Sequence, residues 1–294
     1  MQVIELERGP TRALVTPEIG GRLHQVLIRD ARGWLPLLQA PDDPRDAVAA
    51  PMLSSSYVMA PWPNRIDGGR FLFDGRLYEV PINAGGHALH GRTLWQSWTV
   101  DRRSRDACRM SLEIDGGWPF EGRVIQEIRV EDHGIFQLVE VHADRQPFPA
   151  GVGWHPWWRR DVRAGHDAHA LVDADRTYET IDMIPTGWLH RVNRDRDLRG
   201  YPVLGEQQLD TCYRHPHGAL RVRWDDIEMR MESSASVSHA VVCTSPTAVA
   251  VEPQTCAIDA FNLAAQGIDG TGMIVVKPGR PLVAWTRWRW SIGR

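Results

Sequence analysis

The sequence predicts an all-β fold, a large antiparallel β-sandwich with few short helices. Short runs with period-two alternation of apolar and polar residues dominate the 294-residue chain, and long helical patterns are scarce. The 26 glycines and 20 prolines interrupt the chain at strand-like intervals. Hydrophobic residues make up 43% of the chain, which is enough for one large core, and no linker or repeat is visible. We therefore expect a single domain over residues 1–294.

The strand pattern is clearest in three segments. Residues 70–80 (RFLFDGRLYEV) predict a hairpin that turns at Asp74 and Gly75, a dipeptide suited to a type I′ turn. Residues 122–143 predict two strands joined near residue 133. Residues 282–292 (LVAWTRWRWSI) place tryptophans at alternate positions, which is typical of a strand with one buried face.

Helical patterns are limited to short segments. Residues 43–53 and 258–267 each have room for one short helix. The polar, arginine-rich stretch 191–200 is predicted to be a loop.

Charge and cysteine content narrow the classes of partner and location. The net charge is −3 and the isoelectric point is near 6.5, so the sequence shows no electrostatic footprint for nucleic acid or an anionic membrane. The first ten residues (MQVIELERGP) lack the pattern of a signal peptide, and no stretch approaches the ~18 apolar residues of a membrane span. The four cysteines match no zinc or redox pattern. We expect a cytoplasmic protein with free thiols and no nucleic-acid or membrane partner.

The first segment with chemical potential is residues 60–71 (APWPNRIDGGRF). Asn64 and Arg65 follow a Pro-Trp-Pro run that stiffens the chain and cannot continue a helix. Such a loop can hold an arginine fork at a fixed angle for a polyol or a carboxylate. The structural alternative, which the local sequence slightly favours, is a surface loop whose arginine pairs with a nearby acid.

The second segment is residues 83–92 (NAGGHALHGR). His87 and His90 have a spacing that suits a metal only on a helix, and the neighbouring glycines argue against a helix. Further ligands are missing nearby, so we expect a hydrogen-bonding histidine on a glycine-rich loop and no metal.

The third segment is residues 153–158 (GWHPWW). Pro156 restricts His155 to an extended backbone, which predicts a position at a strand end. The surrounding rings are expected to lower the pKa of His155 and keep it neutral near pH 7. Trp157 or Trp158 is expected either to stack on a sugar or to fill the core.

The fourth segment is residues 248–262 (AVAVEPQTCAIDAFN). The apolar run 248–251 predicts a strand that is buried on both faces and ends at Glu252. A carboxylate at the rim of the core has a raised pKa and is suited to general-base chemistry. An ion pair between Glu252 and an arginine is the structural alternative.

These segments carry a resemblance to a known family. The motifs NRIDGGRF (64–71), LHG (89–91), HPWW (155–158) and EPQTCAIDAFN (252–262), with a weaker match at LDTCY (209–213), resemble the ordered motifs of the aldose 1-epimerases, also called galactose mutarotases. The order and spacing of these motifs are more specific than any one of them. In this chain Arg92 replaces a second glycine that often follows Leu-His-Gly.

The resemblance implies a galactose mutarotase-like supersandwich that interconverts the α- and β-anomers of a free aldose without a metal or an organic cofactor. It implies that Glu252 is the general base and His155 the general acid. The residues implied to bind the sugar are Asn64, Arg65, His90 and Asp210. The implied partner is a small-molecule sugar, and the implied assembly is a monomer or a homodimer.

Three alternatives stay open at this point. The same fold could act on an anionic sugar, a hexose 6-phosphate or a sulfonated sugar, with Arg92 or Arg159 as the anion-binding group. It could also bind a sugar without turning it over, although the presence of both Glu252 and His155 favours an enzyme. A metal-dependent enzyme that uses His87 and His90 is the most distant alternative.

Overall fold

The computed structural model describes residues 1–163, 165–215 and 218–293, and it confirms the predicted antiparallel β-sandwich with few short helices. The strands, in chain order, are β1 (Ile4–Arg8), β2 (Thr11–Thr16), β3 (Arg22–Asp30), β4 (Gly33–Pro36), β5 (Ser56–Met59), β6 (Arg65–Ile66), β7 (Arg70–Phe73), β8 (Arg76–Glu79), β9 (Ala88–Leu89), β10 (Thr99–Arg103), β11 (Ala107–Glu113), β12 (Gly122–Glu131), β13 (Gly134–Ala143), β14 (Phe148–Ala150), β15 (Gly153–Arg159), β16 (His169–Val172), β17 (Arg176–Ile181), β18 (Ile184–Arg191), β19 (Asp210–Arg214), β20 (Leu220–Trp224), β21 (Ile227–Ser233), β22 (His239–Thr244), β23 (Ala248–Gln254), β24 (Ile274–Val276) and β25 (Leu282–Ile292). The helices are α1 (Ala260–Ala265) and short 3-10 turns at Pro44–Val48, Asp67–Gly69, Thr93–Trp95 and Arg194–Arg196.

Two large sheets make the sandwich. In the described part of the chain, eleven strands form the first sheet in the order β1-β2-β3-β5-β15-β23-β22-β19-β17-β18, with β4 paired to β3. Eight strands form the second sheet in the order β10-β11-β12-β13-β25-β21-β20-β16. The pairs β6-β9, β7-β8 and β14-β24 form small two-stranded sheets.

A tryptophan cluster joins the two large sheets. The ring of Trp158 on β15 lies 6.0 Å from that of Trp224 on β20 and 4.9 Å from that of Trp288 on β25. Trp288 and Trp290 are buried whereas Arg289 between them is exposed, as the alternation along this segment predicts. Trp158 is fully buried in this core, so its predicted alternative role of stacking on a sugar is wrong.

The local predictions hold in most segments. Asp74 and Gly75 have φ angles of 48° and 72° between β7 and β8, the positive values that a type I′ turn requires. Strands β12 and β13 pair along their whole length, and the two predicted helical segments contain a 3-10 turn and α1. In the described ranges no helix is long and apolar enough to cross a membrane.

The centre of the first sheet positions the candidate site. Strands β5, β15, β23, β22 and β19 are consecutive neighbours there. The small sheet of β6 and β9 brings the Asn-Arg and Leu-His-Gly motifs together, since the amide of His90 donates to the carbonyl of Asn64 at 2.8 Å. The amide of Asp259 donates to the carbonyl of Arg65 at 2.9 Å and connects the same loop to the segment that precedes α1.

Candidate active site

His155 and Glu252 form a buried pair at the centre of the first sheet. The pairs Gly153–Gln254 and Trp157–Ala250 fix the register of β15 and β23, and these two residues lie between them. Nε2 of His155 is 3.3 Å from Oε1 of Glu252. The side chains are only 5% and 1% exposed, so the pair lies in a medium where charge is costly.

The structure corrects two predictions about these strands. Strand β23 does not end at Glu252 but continues to Gln254, because Pro253 accepts the extended backbone and still pairs in register with Ala240. Glu252 is therefore buried within the strand and not at the rim of the core. His155 likewise lies inside β15 and not at its end.

Burial dominates the acid–base properties of the pair. Desolvation lowers the pKa of His155 to about 3, the direction that its aromatic surroundings predict. Desolvation also raises the pKa of Glu252 well above its usual value, and the charge of Asp210 adds to that rise while Arg65 opposes it. Both shifts favour a neutral pair, with a protonated carboxyl beside a neutral imidazole.

The other predicted site residues surround this pair. Nη1 of Arg65 donates to Oδ1 of Asn64 at 3.0 Å, and Nη2 of Arg65 is 3.6 Å from Oδ2 of Asp210. The ring of His90 meets that of His155 edge-to-face at 5.0 Å. Asp210 is one-third exposed (33%), so solvent screens its ion pair with Arg65. The structure thus brings all six predicted site residues together.

The loops that carry Asn64 and His90 have an uncommon backbone conformation. Asn64 has a φ of 54° and His90 a φ of 61°, a region that residues other than glycine rarely adopt. Gly91 follows with a φ of 67°, and a Cβ atom there would lie 2.1 Å from the carbonyl oxygen of Ala60. The glycine of the Leu-His-Gly motif is therefore required by a close backbone contact that holds His90 at the site.

Several buried polar atoms at the site are not satisfied by protein groups. Within the described residues, Oε2 of Glu252, Nδ1 of His155, Nδ1 of His90 and both amide atoms of Gln254 have no hydrogen-bond partner. Such atoms are uncommon in native proteins because each one costs free energy. The atoms of Glu252, His155 and His90 are therefore available to hydrogen-bonding groups of a ligand.

The residues of the alternative hypotheses lie in other surroundings. Nδ1 of His87 is 3.1 Å from Oδ1 of Asp67, and in the described ranges neither His87 nor His90 belongs to a group of three or more potential metal ligands. The guanidinium of Arg92 lies against Gly116 on the turn after β11. Arg159 occupies the last position of β15, beyond Trp157.

Two neighbours of the pair, Tyr57 and Cys243, were not predicted from the sequence, whereas a third, Trp157, was expected to stack on a sugar or to fill the core. The ring of Tyr57 on β5 stacks on that of His155 at 4.8 Å, and the ring of Trp157 lies 4.9 Å from it on the same strand. Cys243 on β22 pairs with both Asp210 and Ala250 across neighbouring strands. No local signal marks Tyr57 or Cys243, because each reaches the site only through strand pairings between distant parts of the chain.

Comparison with known proteins identifies the class to which this fold and site belong. The family model described as aldose 1-epimerase matches residues 2–289. The chain therefore belongs to the aldose 1-epimerase family, which confirms the resemblance that the motifs carry.

Individual proteins are similar to this chain in sequence or in fold, each at low sequence identity. The uncharacterized protein YihR of Escherichia coli K12 is 23% identical over 251 residues, which cover 79% of this chain and 77% of YihR. A galactose mutarotase-like protein from Clostridium acetobutylicum superposes with a TM-score of 0.88 at 18% identity, over 99% of this chain and 95% of that one. An aldose epimerase homologue from C. elegans gives a TM-score of 0.86 at 20% identity, over 100% and 99% of the two chains.

Proposed function

We propose that this protein is an aldose 1-epimerase that interconverts the α- and β-anomers of a free aldose by general acid–base catalysis. The observation that carries the proposal is the buried carboxyl–imidazole pair with 3.3 Å between Glu252 and His155. The anomeric hydroxyl oxygen and the ring oxygen of an aldose are both bonded to C1. Two groups this close can serve both oxygens at once, which ring opening requires.

The chemistry needs only proton transfer. Glu252 takes the proton of the anomeric hydroxyl while protonated His155 gives one to the ring oxygen, and the C1–O5 bond breaks to leave an aldehyde. Rotation about the C1–C2 bond presents the other carbonyl face, and closure reverses both transfers. Because the resting pair favours a proton on Glu252, the productive state arises when that proton moves to His155 as the sugar binds. The pair holds one proton in total throughout.

The remaining site residues hold the sugar while its C1 end rotates. Arg65, with its two neighbours Asn64 and Asp210, offers donors and acceptors for hydroxyl groups, and His90 supplies an unsatisfied ring nitrogen.

We also propose that residues 1–294 form one domain, because one hydrophobic cluster includes both Ile4 of β1 and Trp290 of β25.

Polarimetry tests the function directly. Freshly dissolved α-D-glucose, α-D-galactose and a hexose 6-phosphate are followed with and without the purified protein. Faster approach to an unchanged final rotation is the expected result for a neutral aldose, and acceleration of the phosphate alone would transfer the activity to an anionic sugar. Sugar-dependent tryptophan fluorescence without any acceleration would contradict catalysis and indicate a binding protein.

A further inference from the structure

The segment 51–54 is hydrogen-bonded to two aromatic side chains that contact the proposed acid, His155. The carbonyl oxygen of Met52 accepts from Oη of Tyr57 at 3.1 Å and from Nε1 of Trp157 at 2.7 Å. These two side chains are the ones whose rings contact His155. The backbone position of Met52 is therefore linked to the aromatic surroundings of the proposed acid.

The buried guanidinium of Arg22 also holds the segment 51–54 in place. The guanidinium of Arg22 is fully buried and donates to the carbonyls of Pro51 at 3.0 Å, Ser54 at 3.5 Å and Ile19 at 2.9 Å. It also lies 5.7 Å from the ring centroid of Tyr57. A buried charge is costly without compensating dipoles. Displacement of the segment would remove two of these carbonyls, so Arg22 resists movement of the segment.

This arrangement presents an apolar surface next to the polar site. A small hydrophobic cluster, separate from the main core, contains Tyr57, Met59, Leu94, Trp157, Ala248 and Ala250. These six residues are buried, whereas the two side chains packed on them, Met52 and Cys243, are only partly buried. Cys243 also adjoins Asp210 across the strands. Met52 and Cys243 together form what we call the apolar wall.

We propose that the apolar wall contacts a carbon–hydrogen face of the bound aldose and is a specificity determinant of the site. The inference rests on the proposed function, because it assumes that the sugar occupies the space above His155 and Glu252. Apolar side chains beside a few convergent polar groups are the usual composition of small-ligand sites. A contact with ring carbons is made equally in the ground state and the transition state, so it affects KM and not kcat.

Substitutions at adjacent positions test this role. Met52→Ala is expected to raise KM about 3–10-fold, as loss of ~1 kcal/mol of apolar contact implies, with kcat within about twofold of wild type. Met52→Leu is expected to restore the wild-type KM. Leu53→Ala is the matched control, because Leu53 is 64% exposed on the same segment. A wild-type KM for Met52→Ala on every sugar turned over would overturn the proposal.

Thiol labelling gives a readout that does not depend on turnover. Cys243 is partly buried while Cys108, Cys212 and Cys256 are buried, so a small reagent such as methyl methanethiosulfonate should modify Cys243 first. Saturating D-galactose or D-glucose is expected to slow that modification several-fold, as measured by peptide mass spectrometry. If the sugar protects Cys243 but mutarotation is not accelerated, the proposed function is wrong and the apolar wall is supported. If a sugar is turned over but leaves the labelling rate of Cys243 unchanged, the apolar wall alone is wrong. If the sugar is not turned over and does not protect Cys243, both proposals are wrong.

Discussion

At the scale of single residues, the acid–base behaviour of Glu252 and His155 is governed by their burial in the protein. An ordinary glutamate is ionised and an ordinary histidine titrates near neutral pH. Burial moves the pKa of Glu252 up and that of His155 down to about 3. Each group alone would be a poor catalyst in its resting form, but a single shared proton makes either group available as donor or acceptor.

Because Glu252 and His155 share one proton over a wide pH range, we expect kcat/KM to depend only weakly on pH. The pair gains a second proton only near the pKa of His155, at about pH 3, and it loses its one proton only above the raised pKa of Glu252. We expect kcat/KM for α-D-galactose at pH 5 to stay within about threefold of its value at pH 7. Polarimetry in buffers across this range measures it. A tenfold fall between the two values would indicate a histidine with an ordinary pKa and contradict the shared-proton pair.

The stability of the folded protein should fall as pH rises above the usual pKa of glutamate. The unfolded chain ionises Glu252 above its usual pKa of 4.5, whereas the folded protein keeps it protonated to higher pH. The unfolded state is therefore favoured as pH rises above that value. Glu252→Gln does not ionise, so its free energy of unfolding should exceed that of wild type at pH 7. The gain should vanish below about pH 4.5 in urea titrations; a less stable variant at pH 7 would refute the raised pKa.

The sequence supports the prediction of some site residues and not of others. Glu252, His155 and His90 lie in short motifs whose residue types indicate their chemistry and whose order matches the aldose 1-epimerase family. Tyr57 and Arg22 contact the site through strand pairing and packing, and a tyrosine or an arginine in an ordinary strand sequence gives no signal of that kind. The motifs do not indicate which distant strands pair or in which register, so they cannot predict these contacts.

At the scale of elements, the loop that carries His90 depends on one glycine. Gly91→Ala should lower the free energy of unfolding by about 2 kcal/mol more than Gly85→Ala in the same loop region. Both residues have a positive φ, but a Cβ atom at Gly91 would collide with the Ala60 carbonyl, whereas nothing lies within 4 Å at Gly85. Urea unfolding compares the two variants. Equal losses would show that backbone strain alone, and not the close contact, requires Gly91.

Element boundaries also show where local sequence reasoning stops. The hairpin at Asp74 and Gly75 was predictable because its turn chemistry is local. The end of β23 was not, because a proline normally signals a strand end and only the paired neighbour β22 shows that the strand continues.

At the scale of the whole molecule, the tryptophan cluster between the sheets carries much of the packing. Trp288→Ala should lower the free energy of unfolding by about 3–5 kcal/mol, the usual cost of removing a buried aromatic side chain. Trp188→Ala is the control, since Trp188 is 70% exposed and its loss should change stability by less than ~0.5 kcal/mol. Similar effects of the two substitutions in urea titrations would contradict the assigned core.

The fold class was predictable at this scale, but the strand order was not. Alternation along the chain and scarce helices predict many antiparallel strands. Neighbours such as β5 and β15, or β13 and β25, are about a hundred or more residues apart along the chain. Their pairing depends on how whole faces pack and not on any local pattern.

The central claim is that Glu252 and His155 together catalyse mutarotation. It is tested most directly by the optical rotation of fresh α-D-galactose with equal amounts of wild type, Glu252→Gln and His155→Ala, each shown to be folded. The account predicts acceleration by wild type and a loss of about 10²–10⁴ in kcat for each variant. Full activity in either folded variant would contradict it.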